Sequence, residues 1–250
     1  MIEKITSLNN QKVKDACKLK TSKGRNEKRL FLVEGFHILE MALNAGVVKA
    51  IFTNKIIENI DENITQYLVD DFILNKISYM PSNQGVIGIC SMQKNEIFND
   101  NLIVFLDNVS DPGNMGTILR TCLAFGVKNV LISKGSVSIF NDKVIMSSQG
   151  AIFNLNIKEV TYEEVKNMKQ EYTIISSTLN DKSISFNDLK IEENKKYIVV
   201  FGNESRGISE DTISMSDIFT KIPMNTIDSL NVGIAAGIII YYLAIQNKLC

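Results

Sequence analysis

The sequence predicts an α/β protein in two parts: a small N-terminal α/β domain over residues 1–96 and a C-terminal domain, 97–250, built on a parallel sheet. Three observations predict it. Short apolar runs alternate with helical stretches, as in parallel strands covered on both faces. The alternation is mixed before the polar stretch "QKNEIFND" (93–100) and cleaner after it. The chemically distinctive residues gather in three loops where apolar runs end. On spacing alone the second sheet reads as open and doubly wound.

In chain order, the first part reads as a helix over 9–22, a strand at "RLFLVEG", a helix over 36–45, a strand at "VKAIFTN" and a helix near 62–70. "SNQGVIGIC" then reads as a glycine-bearing loop running into a strand. In the second part, a strand over 102–106 leads to a helix over 114–125, which Gly126 stops. A strand at "KNVLIS" and a helix over 140–149 follow, then strands at "YTIISSTL", "KYIVVFG" and "DIFTKIPM". Residues 180–195 show no clear pattern, and a long apolar helix over 227–246 closes the chain.

Composition excludes several classes. The chain is 45% hydrophobic and 22% charged, with net charge −1, as suits a soluble globular protein. Its longest apolar run, "VGIAAGIIIYYLAI", is too short to span a bilayer and reads as a buried helix. Within it, Gly233 and Gly237 permit close helix packing, inside the chain or across a subunit interface. The N-terminus is too polar for a signal peptide. Cys17, Cys90, Cys122 and Cys250 are scattered, which argues against a zinc site and suits a reducing cytoplasm. The single histidine, His37, opens an amphipathic helix and reads as a structural or surface residue. No metal site is expected. Residues 11–30 hold eight Lys/Arg against two Asp/Glu, which is either a solvated face or an anion-binding surface.

The three loops are "SDPGNMG" (110–116), "FGNESRGIS" (201–209) and "IPMNTIDSLN" (222–231). If their strands are parallel neighbours, the loops share one edge and form one crevice. The first is neither of the usual glycine-rich phosphate loops. The groups on offer are Asn114, Arg120, Glu204, Arg206, Ser229, Asn231 and the backbone amides of several glycines. Singly, each has a plain structural reading: Asn114 and Ser229 as helix caps, Arg120 as a surface residue, Glu204 as part of a tight turn.

Together, "LDNVSDPGNMGTILRT", "VVFGNESRGIS" and "IPMNTIDSLNVGIAAGI" resemble the three motifs of the SpoU (TrmH) family, in order and at similar spacing. The resemblance covers roughly residues 100–248. The stretch "KGRNEKRLFLVEGFHILEMAL" resembles the small ribosomal-protein-like RNA-binding domain that many members carry. The third motif departs from the pattern: it is one residue shorter than is common and lacks a glycine after Pro-Met.

The resemblance implies an S-adenosylmethionine-dependent transfer of methyl to a ribose 2′-hydroxyl of RNA, a deep C-terminal trefoil knot and a homodimer packed partly through the last helix. Large-subunit ribosomal RNA is favoured as substrate because accessory domains of this type accompany enzymes of ribosomal RNA. By residue, it implies catalytic-site positions at Asn114, Arg120, Glu204, Ser229 and Asn231, with Arg120 activating the hydroxyl. Cofactor contacts are implied at Thr178, Gly202, Ile222 and Leu230, largely through backbone groups. The basic segment then supplies phosphate contacts through Lys18, Lys20, Lys23, Arg25, Lys28 and Arg29, and the enzyme is cytoplasmic. The alternatives are a transfer RNA 2′-O-methyltransferase, a non-catalytic RNA-binding protein of the same fold, a knotted methyltransferase acting on a base nitrogen, and a nucleotide-dependent oxidoreductase.

Overall fold

In a computed structural model of the chain, all residues are described except 94, 95, 97, 98, 194, 228 and 250. The expected 96/97 domain boundary and Cys250 therefore fall at or beside positions outside the described residues. The chain divides into two compact units: residues 1–94 with 140–146, and residues 95–139 with 147–250.

The first unit contains β1 (Ile2–Ile5), α1 (Gln11–Lys18), α2 (Ser22–Lys28), β2 (Leu30–Glu34), α3 (Phe36–Asn44), β3 (Val48–Thr53), β4 (Thr65–Val69), α4 (Asp71–Ile77) and β5 (Val86–Ser91). Its mixed sheet has the order β1-β4-β3-β5-β2, with β5 antiparallel to both neighbours. Leu32, Phe52, Tyr67, Ile73, Leu74 and Ile87 form the centre of its core.

Two expected elements differ. The helix expected over 9–22 ends at Lys18, and a second, unexpected helix, α2, follows it. Asn10 caps α1 through the Lys12 N–H, and Thr21 caps α2 through the Gly24 N–H. Gly24 lies so close to the Lys18 carbonyl that a Cβ there would overlap it. The helix expected near 62–70 is instead strand β4, followed by α4. "TQYLV" carries the β-branched and aromatic residues that suit a strand, and its neighbours β1 and β3 settle the choice.

The second unit contains β6 (Leu102–Leu106), α5 (Pro112–Ala124), β7 (Asn129–Ser133), β8 (Asn156–Val160), α7 (Tyr162–Asn167), β9 (Tyr172–Ser177), β10 (Ile184–Ser185), β11 (Lys196–Phe201), α8 (Glu210–Met215), β12 (Ile218–Lys221) and α9 (Val232–Gln246). A further helix, α6 (Asp142–Ser148), straddles the two units' segments. All seven strands are parallel, in the order β10-β12-β9-β11-β6-β7-β8. Every residue of β6 and β7 is buried, as expected of strands covered on both faces. β10 lies in the segment without a clear pattern.

Asp111 caps α5 through the Asn114 N–H, and Pro112 occupies the first turn, where its missing N–H costs nothing. Gly126, at φ +75°, follows the helix end, as its sequence position suggests. α9 packs on α5. A Cβ at Gly233 would stand 3.4 Å from the Thr117 Cγ2 methyl, so this glycine faces α5, whereas Gly237 faces open space.

Candidate active site

β6 and β11 are adjacent and parallel, so the first and second loops leave the same sheet edge side by side. The loop after β12 closes the site from beyond β9 and runs into α9. A cavity of about 600 Å³ opens there. Thr178, Gly202, Glu204, Ile222, Ser229, Leu230 and Asn231 all line it, with Arg206 and Met224. The shortened third loop thus still forms one wall. Three of the expected cofactor positions, Thr178, Ile222 and Leu230, are only partly buried.

Asn114, Glu204 and Asn231 join the three loops in one hydrogen-bonded chain. Asn114 Nδ2 donates to Glu204 Oε1 at 3.1 Å, and Asn231 Nδ2 donates to Asn114 Oδ1 at 2.9 Å. Asn231 also caps α9, its Oδ1 accepting from Gly233 and Ile234. The caps expected at Ser229 and Asn114 thus fall elsewhere: Asn231 caps α9 and Asp111 caps α5.

Glu204 is held from several sides. It accepts from the Ser110 N–H and hydroxyl at 3.2 and 3.0 Å, and from the Asp111 N–H at 3.0 Å. Burial opposes its ionisation, but these hydrogen bonds and that of Asn114 outweigh it and hold its pKa below the ordinary carboxylate range. Its place at the start of α5 also favours a negative charge. An ionised carboxylate whose oxygens are already occupied is a poor base and a good anchor.

The second loop owes its shape to Gly202 and Asn203. Asn203 and Gly207 exchange two backbone hydrogen bonds of 2.8 and 3.0 Å. A Cβ at Gly202 would overlap the backbone of Gly207 and Ile208. Asn203 Nδ2 donates to the Asn108 carbonyl at 2.8 Å, while its Oδ1 accepts from the Ser205 and Arg206 N–H groups. Below, the fully buried Asp107 accepts from Tyr162 and Thr212 hydroxyls and the Ser209 N–H, each at 2.7 Å. Asn203 and Asp107 were not singled out from the sequence, although an Asn inside "FGNESRG" is a legible turn signal.

Arg120 stands apart. It is exposed, is absent from the cavity wall and makes no ion pair or hydrogen bond with any described residue. It follows Asn114 by six residues, about 9 Å along the helix and about 120° around it.

Among the basic residues, Arg25 requires a correction. It is 5% exposed and its guanidinium donates to the Leu19 and Lys20 carbonyls and the Tyr79 hydroxyl, so it ties the first unit together and does not reach out for phosphate. Lys20 is partly engaged as well, donating to the Ser78 carbonyl at 2.5 Å. Lys18 and Lys23 are exposed beside Asp15 and Glu27, and Lys28 and Arg29 are exposed and form no ion pair among the described residues. His37 is exposed on α3. Cys90 and Cys122 are buried free thiols whose pKa burial pushes up. Among the described residues, no cluster of His, Cys, Asp or Glu is arranged to hold a metal, and no helix is long and apolar enough to cross a membrane.

The cavity fits the cofactor by size and donor set: apolar Ile222, Met224 and Leu230 for a heterocycle, with Thr178, Ser229, Glu204, Arg206 and backbone groups for polar atoms. A parallel α/β domain with such a cavity at its strand ends, in a chain that also holds a mixed-sheet unit, suits an S-adenosylmethionine-dependent RNA methyltransferase, and comparison with known proteins defines that class. The chain belongs to the SpoU rRNA methylase family, whose profile matches residues 101–241, and residues 10–88 match an MRM3-like substrate binding domain. It is 29% identical to a Bacillus subtilis 23S rRNA (guanosine(2553)-2'-O)-methyltransferase, over 97% of this chain and 99% of that protein. The crystal structure of an rRNA methyltransferase from Sinorhizobium meliloti superposes with a TM-score of 0.89 at 25% identity, over 98% of each chain. An AdoMet-bound structure of an rRNA methyltransferase from the same organism gives 0.88 at 25% identity, again over 98% of each chain.

Proposed function

We propose that the protein methylates a ribose 2′-hydroxyl of large-subunit ribosomal RNA, in the cytoplasm, as a homodimer. The observation that carries this reading is the Asn114–Glu204–Asn231 chain, which links all three loops at the cavity rim. S-adenosylmethionine, held by Thr178, Gly202, Ile222 and Leu230, supplies an electrophilic methyl group. The residues of the chain must then place a hydroxyl and tolerate the charge that develops on its oxygen. Glu204 fixes Asn114, while Ser229 and Asn231 hold the third loop toward the substrate.

Arg120 stays cationic, because a guanidinium is not deprotonated in proteins. Its role is to hold an RNA phosphate and to stabilise the developing alkoxide, the proton leaving through phosphate or water. Its exposed, unpaired state supports a partner that arrives from outside the chain. Lys18, Lys23, Lys28 and Arg29 add phosphate contacts from the first unit. The three motifs also imply a deep trefoil knot in the second unit.

The test uses methyl-labelled S-adenosylmethionine with unmodified large-subunit ribosomal RNA and, separately, transfer RNA, followed by digestion to nucleosides. The expected product is a 2′-O-methylnucleoside from the ribosomal RNA, about 100-fold less abundant with Arg120→Ala. A product from transfer RNA alone would move the substrate class. A methylated base would refute ribose chemistry, and absence of cofactor binding would leave a non-catalytic RNA-binding protein.

A further inference from the structure

The first unit has a cavity of its own, about 550 Å³, that methyl transfer does not use. It lies where β2 turns into α3 and where the loop before β5 passes the ends of β3 and α4. Phe36 lines it and is 42% exposed, a large aromatic ring left in water at the first position of a helix. Gly35 sets that ring in place: its φ is +86°, and a Cβ there would overlap the Gln84 amide oxygen. Lys55 Nζ stands 5.2 Å from the ring centre.

Around the ring is a set of amides, each with one hydrogen-bonding atom engaged and one spare. Asn54 Nδ2 donates to Asp71 at 2.9 Å, leaving its oxygen free. Asn75 Oδ1 accepts from Asn83 at 2.5 Å, leaving its NH₂ free. Gln84 Nε2 reaches the Met80 sulfur at 3.6 Å, leaving its oxygen free. None of these spare atoms has a partner among the described residues. The only charged side chains of the wall, Lys55 and Asp71, have opposite signs. A neutral cavity of this kind is a poor phosphate site. An aromatic platform ringed by fixed amide donors and acceptors is what recognises an unstacked base, by stacking and by hydrogen bonds to its edge.

We propose that this cavity takes one splayed-out base of the RNA substrate, stacked on Phe36 and read by Asn54, Asn75 and Gln84, with Lys55 on the adjoining phosphate. The assignment rests on RNA being the substrate, and it gives the first unit a sequence-reading role separate from methyl transfer.

Filter binding of unmodified large-subunit ribosomal RNA to wild type, Phe36→Ala, Phe36→Tyr and Phe72→Ala tests it, with S-adenosylmethionine binding measured in parallel. Phe36→Ala should weaken RNA binding about tenfold or more, the usual consequence of removing one stacked base's platform. Phe36→Tyr should bind as wild type. Phe72 is 49% exposed but outside the cavity wall, so Phe72→Ala should also bind as wild type. Cofactor affinity should be the same in all four. In turnover, Phe36→Ala should raise KM and leave kcat unchanged. Equal RNA affinity of Phe36→Ala and wild type would overturn the proposal, as would a wild type that retains no RNA or an equal loss in Phe36→Tyr. Weakened RNA binding by Phe36→Ala in a protein that transfers no methyl would uphold the base site while refuting the methyl-transfer reading.

Discussion

At the scale of single residues, Glu204 connects stability to pH. Its carboxylate is stabilised in the fold, so its folded pKa lies below the ordinary value of about 4.3. Its contribution is complete above that ordinary value and is lost as pH falls through the folded one. Urea midpoints measured downward from pH 6 should therefore fall for wild type in the acid range, with a shallower fall for Glu204→Gln. That variant keeps one acceptor oxygen and sets an NH₂ group against either the Ser110 donors or those of Asp111 and Asn114, so the anchoring of Asn114 should loosen and turnover should drop on the order of 100-fold. An unchanged acid slope would show that the carboxylate is not held as described. The grouping of Asn114, Glu204 and Asn231 was legible because the motifs that hold them are short and local. Arg25 was not, because a count of charges within a segment cannot say which guanidinium turns inward onto carbonyls. The separation of Arg120 from the cavity was equally hidden, since it depends on helix phase and on where the cavity opens.

At the scale of elements, the second loop is a rigid clip that tolerates no side chain at its base. Gly202→Ala should force the Asn203–Gly207 pairing apart, destabilise the protein by about 1–3 kcal/mol and weaken cofactor binding at least about tenfold. Calorimetric titration and thermal melts check both. A variant with unchanged affinity would place the cofactor elsewhere. Strands with continuous apolar runs, β6, β7 and β11, were legible, as were α3, α5 and α9. β1 and β8, each at one edge of its sheet, carry charges in "IEKI" and "NIKEV", which blunts both the edge and the sequence signal. β4 was read as helix because five residues are too few for periodicity to separate the two states.

At the scale of the whole molecule, the exposed face of α9 carries the proposed dimer. Ile234, Ile238, Tyr241 and Ile245 recur at helical spacing and are 57, 38, 50 and 44% exposed. An apolar stripe of this kind is expected to be covered. Changing Ile238 and Tyr241 together to Glu should shift sedimentation from dimer to monomer while far-UV circular dichroism stays unchanged; a wild type that sediments as a monomer at micromolar concentration would exclude the dimer. The parallel class of the second sheet was legible from alternation. Its strand order was not, because spacing does not say where the chain crosses back. One crossing bears on how the chain can be cut and rejoined. Residues 140–146 group with the first unit, and Phe140 meets the Phe31 ring there at 4.8 Å. The substrate-binding part is thus not a cassette bounded by a single seam. A chimera that grafts residues 1–93 onto another methylase brings Phe31 without its ring neighbour. A graft that keeps the ring pair together must carry residues 140–146 along with residues 1–94.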